Sequence, residues 1–432
     1  MSSQNDNDAD NFKIDFKYYK RRQPPPHLYD VVDIYKGSSD LHLEALQGTS
    51  RELSISKQSR NLKEAGLNSM EKWKSFKIHQ TYQNGNRHLT GLILISNAFT
   101  EKGQLLWSLR CLKDYAKNPP NKTNLDGSNN VNDTENHDTP YNKQENHSPA
   151  KKKKVKNVTI PPKDSLHANE KPVDTGVIKE DKLAGQESQS WWSKNFEEWR
   201  TSQFGNTRNN KGQHVSEHKT MDQLRWATIG YHHNWNTKQY SKDNISTFPT
   251  DLKELCEIII SYIGNLSENV IEEKYVSNFS PEAGIINFYP PHASLGGHTD
   301  HSEPNREAPL LSLSFGLPAI FLCGGPTKNT KPTAVLLRSG DILIMTREAR
   351  DKYHGVPRIL DTDFIKVQRE LSERKRTLEQ VEMPIQLENM IPDFLNDCVD
   401  VTKSNDPNEK EILFTKSYLT RHRININIRQ VF

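Results

Sequence analysis

The chain has 432 residues, of which 33% are hydrophobic, and its 58 basic and 55 acidic side chains leave a formal charge of +3. A globular chain is about 45–50% apolar when glycine is counted, so a sizeable part of this one need not be folded. The balanced charge excludes a uniformly basic surface, so any contact with nucleic acid must be local. No apolar run reaches the roughly 18 residues a membrane span needs, and the N-terminus lacks the basic start and apolar stretch of a signal peptide. The cysteines, Cys111, Cys256, Cys323 and Cys398, lie far apart with no CxxC pair, which fits a reducing, intracellular compartment.

In chain order, Lys17-Tyr18-Tyr19-Lys20-Arg21-Arg22 mixes basic and aromatic side chains before Pro24-Pro25-Pro26. It reads as a segment that docks on the main domain, with contact to a phosphate backbone as the alternative. Leu92-Ile93-Leu94-Ile95 has the texture of a short buried strand, and Gln104 to Tyr115 carries apolar residues at helical spacing. Residues 1–116 therefore form an N-terminal extension packing on the core. From 117 to 188 the chain turns to Asn, Asp, Lys, Pro, Ser and Gly, too polar to offset its chain entropy, and a disordered insertion is expected. Within it, Pro149 to Lys156 is a compact basic run that reads as a nuclear localisation signal or simply as solvated lysines.

Order resumes at Trp191-Trp192, followed by an aromatic-rich stretch from Leu224 to Trp235 and a helix over 250–264. After Glu282 short apolar runs alternate with turn residues: Gly284 to Tyr289, Leu310 to Phe315, Ala319 to Cys323, Ala334 to Leu337, Asp341 to Met345 and Arg423 to Phe432. This is the pattern of a sandwich or barrel. Residues 189–432 thus make one domain, interrupted by a charged insertion at about 361–410, where Arg369 to Arg376 reads as an exposed helix.

His298 and Asp300 stand two residues apart at a strand-to-loop transition, so in extended backbone both face one side and can reach one ion. A third ligand must come from elsewhere, and His354 is the best candidate. Two histidines and a carboxylate on one face of an octahedron leave open positions, the arrangement non-haem iron(II) oxygenases use. Zinc more often keeps a closed tetrahedral shell. The last strand, Arg423-Ile424-Asn425-Ile426-Asn427-Ile428-Arg429, puts its polar side chains on one face and its isoleucines on the other. Buried arginines need anionic partners, which a dicarboxylate cosubstrate would supply. Asn287 and Tyr289 share a face in the same way, placing an amide and a phenol where a carboxylate could be bound.

Taken in order, Asn287-x-Tyr289, His298-x-Asp300, His354 and Arg423-x-Asn425-x-x-x-Arg429 resemble the AlkB family of nucleic-acid dioxygenases. Leu224-Arg225-Trp226, Gly230-Tyr231, Asn234-Trp235 and Ser339-Gly340-Asp341 are similar to its eukaryotic AlkB homologue 1 subgroup. The resemblance implies an α+β fold with a double-stranded β-helix (jelly-roll) core. It implies that His298, Asp300 and His354 hold Fe(II), and that Arg423, Asn287, Tyr289 and Asn425 bind 2-oxoglutarate. Arg429 would lie near the metal-proximal carboxylate and Asp300.

The implied chemistry couples reduction of O2 and decarboxylation of 2-oxoglutarate to oxidation of a methyl group on a base in tRNA or DNA. N1-methyladenine, N6-methyladenine and 5-methylcytosine are the candidate bases. Trp226 and Tyr231 are the substrate-side candidates, since a base taken out of the stack is held by aromatic faces. Arg306, Lys328, Lys331, Arg347, Arg350 and Arg358 could steer phosphates. The same chemistry on a protein side chain, such as a histone methyl-lysine, is the alternative, and a catalytically dead binding module is the third class. A monomer in the nucleus or cytoplasm is expected, and the resemblance admits the mitochondrion as well.

Overall fold

A computed structural model describes residues 9–35, 43–46, 65–81, 87–125, 190–204, 221–267, 269–379, 387, 390–396 and 406–432. The basic run at 149–156, the rest of the segment from 126 to 189, and Cys398 lie outside the described residues. Strands β1 (Val31–Val32), β2 (Leu43–Ala45), β3 (Lys74–Thr81), β4 (Arg87–Ser96) and β5 (Lys122–Thr123) come first. They are followed by β6 (Trp226–Asn234), β7 (Gln239–Ile245), β8 (Ala283–Tyr289), β9 (Leu295–His298) and β10 (Leu310–Gly316). The last are β11 (Ala319–Cys323), β12 (Thr333–Leu337), β13 (Ile342–Met345), β14 (His354–Ile359) and β15 (Arg423–Arg429).

Two sheets result. The smaller runs β1-β12-β11-β14-β9, and the larger runs β2-β3-β4-β13-β10-β15-β8-β6-β5 with β7 paired to β6. The architecture is the jelly roll that the family resemblance implies, with helices added on its outer faces. The strands read as nearly continuous apolar runs because both faces of each sheet are covered. On β4 and β13, Leu92, Leu94, Leu343 and Met345 point into the core between the sheets, where they join Phe321, Cys323, Val335 and Leu337. Their neighbours Ile93, Ile95, Ile342 and Ile344 point outward, under the helices.

The helix Thr250–Leu266 supplies much of that outer cover, burying Leu252, Leu255, Cys256, Ile259, Ile260 and Ile263, a stripe at helical spacing. The helix Pro407–Leu419 adds Phe414 and Tyr418. It starts sharply, because the Asp406 carboxylate accepts the Asn408 N–H and Pro407 occupies the first turn. Gly316, between β10 and β11, has φ +81°, and a Cβ there would run into the His422 carbonyl, so the tight turn requires glycine.

The N-terminal part is woven into the core more deeply than an extension packed from outside. β4 pairs with β13, extending the larger sheet, and β1 pairs in parallel with β12 in the smaller one. Residues 117–125, placed by composition in the polar insertion, are ordered turns and β5, which pairs with β6. The helix Asn11–Lys20 docks on the outer face of the smaller sheet through Phe12 and Tyr19. Arg358 fixes its C-terminal end, donating from Nε to the Tyr19 carbonyl at 2.8 Å and from Nη2 to the carbonyls of Lys20 and Arg21. The basic-aromatic segment is thus a docking element. In the charged region, the helix Thr362–Glu379 is amphipathic and not simply exposed, since Phe364, Ile365, Gln368 and Ser372 are buried.

Candidate active site

The site opens between the two sheets. His298 ends β9 and His354 begins β14, and the two are cross-strand partners in the smaller sheet, which brings residues far apart in sequence side by side. Asp300 follows two residues after His298. The ligand atoms of the three lie within 4.8 Å of one another. Nε2 of His298 is 3.7 Å from one Asp300 oxygen, and Nε2 of His354 is 3.7 Å from the other.

Each imidazole is turned by its own backbone. Nδ1 of His298 faces the Gly296 carbonyl at 2.9 Å and Nδ1 of His354 faces the Lys352 carbonyl at 3.0 Å. A carbonyl only accepts, so Nδ1 carries the proton and Nε2 keeps its lone pair for a metal. Burial, together with the neighbouring His298, pushes the His354 imidazole down to about 4, so it is neutral at neutral pH. Burial alone would raise the Asp300 carboxyl. Arg429, the two histidines and Arg350 overcome that and hold it well below the usual carboxylate range. The three side chains are 38%, 12% and 8% exposed for His298, Asp300 and His354, so the approach to the ligand set is from the His298 side.

Tyr289, Leu295, Ser312, Phe321, Asn425, Arg423 and Arg429 line the same cavity as the ligand set. Arg423 is 1% exposed. It donates to the Leu317 carbonyl at 3.1 Å and to Ser314 Oγ at 2.7 Å, while its Nε has no hydrogen-bond partner. Burial lowers it to about 10, still charged at neutral pH, with Tyr289 and Asp341 nearby opposing the shift. Among the described residues no carboxylate lies within ion-pairing distance of it. A buried guanidinium in that state is costly unless an anion completes it, and a dicarboxylate fits.

Arg429, which the repeating pattern made look equivalent, is not. Its Nη2 sits 3.3 Å from Asp300 Oδ2 and its Nε 2.6 Å from Glu303, the latter an ion pair off the N–H axis. Its Nη1 donates to the Tyr240 hydroxyl at 3.4 Å. Both amide hydrogens of Asn425 are directed within the sheet, to Ser312 Oγ at 2.7 Å and the Leu313 carbonyl at 3.1 Å. Asn425 therefore lines the cavity with its donors already engaged. Asn287 is buried on the same strand as Tyr289 and pairs with Trp226 and Asn425 across the sheet, but it is not among the residues lining the cavity.

On the outer side, β6 and β7 form a hairpin with a register shift between Tyr231 and His233. Gly230 makes the kink, with φ +68° and the Glu282 carbonyl where a Cβ would be. Beyond it Tyr231 packs edge-on against Phe432, 4.9 Å between centroids, in a small cluster with Tyr240, Ala283 and Val431. Trp226 instead belongs to a run of ring contacts: Trp226 to Trp235 at 5.3 Å, Trp235 to His233 at 4.6 Å, and His233 to Tyr240 at 5.2 Å. Tyr240 leads back to Arg429.

Sequence pattern missed Glu303 and Tyr240 and gave Arg350 the wrong role, because nothing local distinguishes a buried charge from a solvated one. Arg350 and Arg358, read as phosphate-steering, are buried. Arg350 faces Asp300 and Glu303, and Arg358 holds the N-terminal helix. Arg306 is paired with Asp351.

Two histidines and a carboxylate gathered on one side of a jelly-roll cavity, with a buried arginine beyond them, define an iron(II) and 2-oxoglutarate oxygenase site. Residues 176–429 match the profile of the 2OG-Fe(II) oxygenase superfamily. The chain belongs to that superfamily, as an AlkB-type dioxygenase that uses Fe(II), 2-oxoglutarate and O2. It is 29% identical over 357 residues to nucleic acid dioxygenase ALKBH1 of Homo sapiens, covering 81% of this chain and 70% of that protein. It is 40% identical over 139 residues to tRNA demethylase abh1 of Schizosaccharomyces pombe, 32% of this chain and 42% of that one. Against DNA N(6)-methyladenine demethylase ALKBH1A of Arabidopsis thaliana the identity is 31% over 219 residues, 50% of this chain and 52% of that protein.

Proposed function

We propose that this enzyme oxidises methyl groups on bases of tRNA or DNA, with His298, Asp300 and His354 holding the iron and Arg423 the distal carboxylate of 2-oxoglutarate. The observation that carries this reading is the buried Arg423 guanidinium, with no ion-paired carboxylate among the described residues, in the same cavity as three converging metal-ligand atoms. Bound iron and 2-oxoglutarate supply the oxidation: O2 is consumed, 2-oxoglutarate becomes succinate and carbon dioxide, and one oxygen atom enters a substrate C–H bond.

The protein's own residues do the rest. The Gly296 and Lys352 carbonyls fix the two imidazoles with Nε2 free, and Arg429 holds Asp300 ionised. Arg423, aided by the Tyr289 phenol, receives the cosubstrate's far carboxylate and so sets where its near end lies. Phe321 and Leu295 keep the cavity wall apolar. A hydroxylated N-methyl group collapses to formaldehyde and the demethylated base, whereas a C-methyl group keeps its hydroxyl.

The substrate side of the proposal rests on the hairpin's rings, of which Trp235 is exposed and its neighbours Trp226 and His233 are half-buried, so that they offer faces for a base to stack on. The names of the relatives, which speak of nucleic acid, tRNA and DNA N6-methyladenine, support nucleic acid as the substrate class. The test is release of formaldehyde and succinate by wild-type and His298→Ala protein given Fe(II), 2-oxoglutarate and either methylated tRNA or methylated single-stranded DNA. Turnover stimulated by nucleic acid and lost in the variant supports the reading. No stimulation by either polymer would turn it toward a protein substrate.

A further inference from the structure

Next to the ligand set lies a buried cluster of four charges. Asp300 and Glu303 face Arg429 and Arg350: Arg429 is 3.3 Å from Asp300 and 2.6 Å from Glu303, and Arg350 is 4.0 Å from Asp300 and 3.8 Å from Glu303. The Glu303 and Arg350 side chains are each 2% exposed. Arg350 is tied down by its Nε donating to the Ala308 carbonyl at 2.9 Å. Two acids and two bases leave the cluster neutral. Without Glu303 it would carry one net positive charge beside the place where a divalent cation must bind, in a setting where water screens little.

We propose that Glu303 is a positioning residue for the metal centre. It occupies Arg429 Nε and balances Arg350, so that Asp300 meets these guanidiniums through one oxygen and keeps the other for the metal. The inference rests on the assignment of His298, Asp300 and His354 as the ligand set. Both arginines approach Asp300 through Oδ2, which also lies 3.7 Å from His354 Nε2, while Oδ1, 3.7 Å from His298 Nε2, faces neither arginine. If Glu303 were absent, the two guanidiniums would compete for the single remaining carboxylate and draw it from the metal. Glu303 itself touches neither the histidines nor the cavity that Arg423 lines. Its effect is transmitted through the arginines.

The test is Co(II) titration of the full-length protein, followed by the visible bands of the bound ion, in wild type, Glu303→Gln, Glu303→Asp and Glu303→Gln combined with Arg350→Met. Thermal melting of the metal-free proteins runs alongside to confirm folding. Removing an outer partner of a metal ligand typically weakens metal binding by about 10–100-fold, and that is the loss expected for the folded Glu303→Gln protein. Glu303→Asp, which keeps the charge, retains most of the affinity. The double variant, which restores charge balance, recovers at least half of the loss on a logarithmic scale. Affinity and spectrum unchanged in Glu303→Gln would overturn the proposal while leaving the ligand assignment standing. So would a double variant that binds no better than Glu303→Gln. Failure of wild type to bind Co(II), or binding undiminished by His298→Ala, would overturn the ligand assignment and the proposal with it.

Discussion

Replacing Arg423 with methionine separates a cosubstrate anchor from an ordinary core residue. In the free protein the guanidinium makes hydrogen bonds to Leu317 and Ser314 and leaves Nε without a partner. Losing the two bonds costs about 1 kcal/mol each, and relief of a buried charge that lacks an acid offsets several kcal/mol. Methionine fills a similar volume. The metal-free, cosubstrate-free protein should therefore melt at the same temperature as wild type or slightly higher.

With 2-oxoglutarate the sign reverses. A desolvated charge pair lost from one side costs about 2–5 kcal/mol, which at about 1.4 kcal/mol per decade is a loss of roughly 30- to 5,000-fold in affinity. Titration of 2-oxoglutarate into the Mn(II)-loaded protein, with thermal melts with and without the cosubstrate, reads both quantities. A folded variant whose affinity falls by less than about threefold would show that the distal carboxylate does not go to Arg423, because no such pair could be removed so cheaply.

Trp235→Ala should cost about 1–2 kcal/mol of stability through its ring contacts with Trp226 and His233, yet leave the protein folded and weaken substrate binding by about 1–3 kcal/mol if a base stacks on this 38% exposed ring. The Michaelis constant for the methylated oligonucleotide, measured at constant 2-oxoglutarate, checks it. In the metal-free protein His354 titrates at about 4 against 6.5 in an unfolded chain, so the unfolded state binds the extra proton and stability falls as pH drops from 6.5 toward 4. The loss is roughly 3 kcal/mol, and denaturant melts across that window should be flatter in His354→Phe. Gly316→Ala forces a left-handed residue against the His422 carbonyl and should lower the melting temperature, with a cost of about 1–3 kcal/mol or more. Arg358→Met removes the bonds to the carbonyls of Tyr19, Lys20 and Arg21, and hydrogen exchange should speed up across residues 11–22 while the sheet stays protected.

Much of the site was legible in one dimension because its signals are local. His298 and Asp300 share a side by backbone geometry alone, and the alternation in β15 sends Ile424, Ile426 and Ile428 under the helices and Arg423 toward the cavity. The apolar runs from Ala283 to Met345 appear as strands for the same reason. The strand that begins at His354 was harder to see, since Gly355, Pro357 and Arg358 interrupt its apolar texture.

The alternating pattern by itself does not settle which charge meets which, although the family resemblance already set Arg429 beside Asp300, where the structure places it. Arg423 and Arg429 occupy matching positions in one alternating pattern, yet one meets no carboxylate and the other meets Asp300 and Glu303. That difference is set by register: β15 lies between β10 and β8, so its Arg423 end meets Gly316 and Tyr289 while its Arg429 end meets Ala283. Arg350 and Glu303 are likewise ordinary charged residues until the fold withdraws them from water. Side-chain direction is a property of the residues nearest in the chain, whereas burial and charge pairing belong to contacts between segments far apart in the chain, and only the assembled sheets create those.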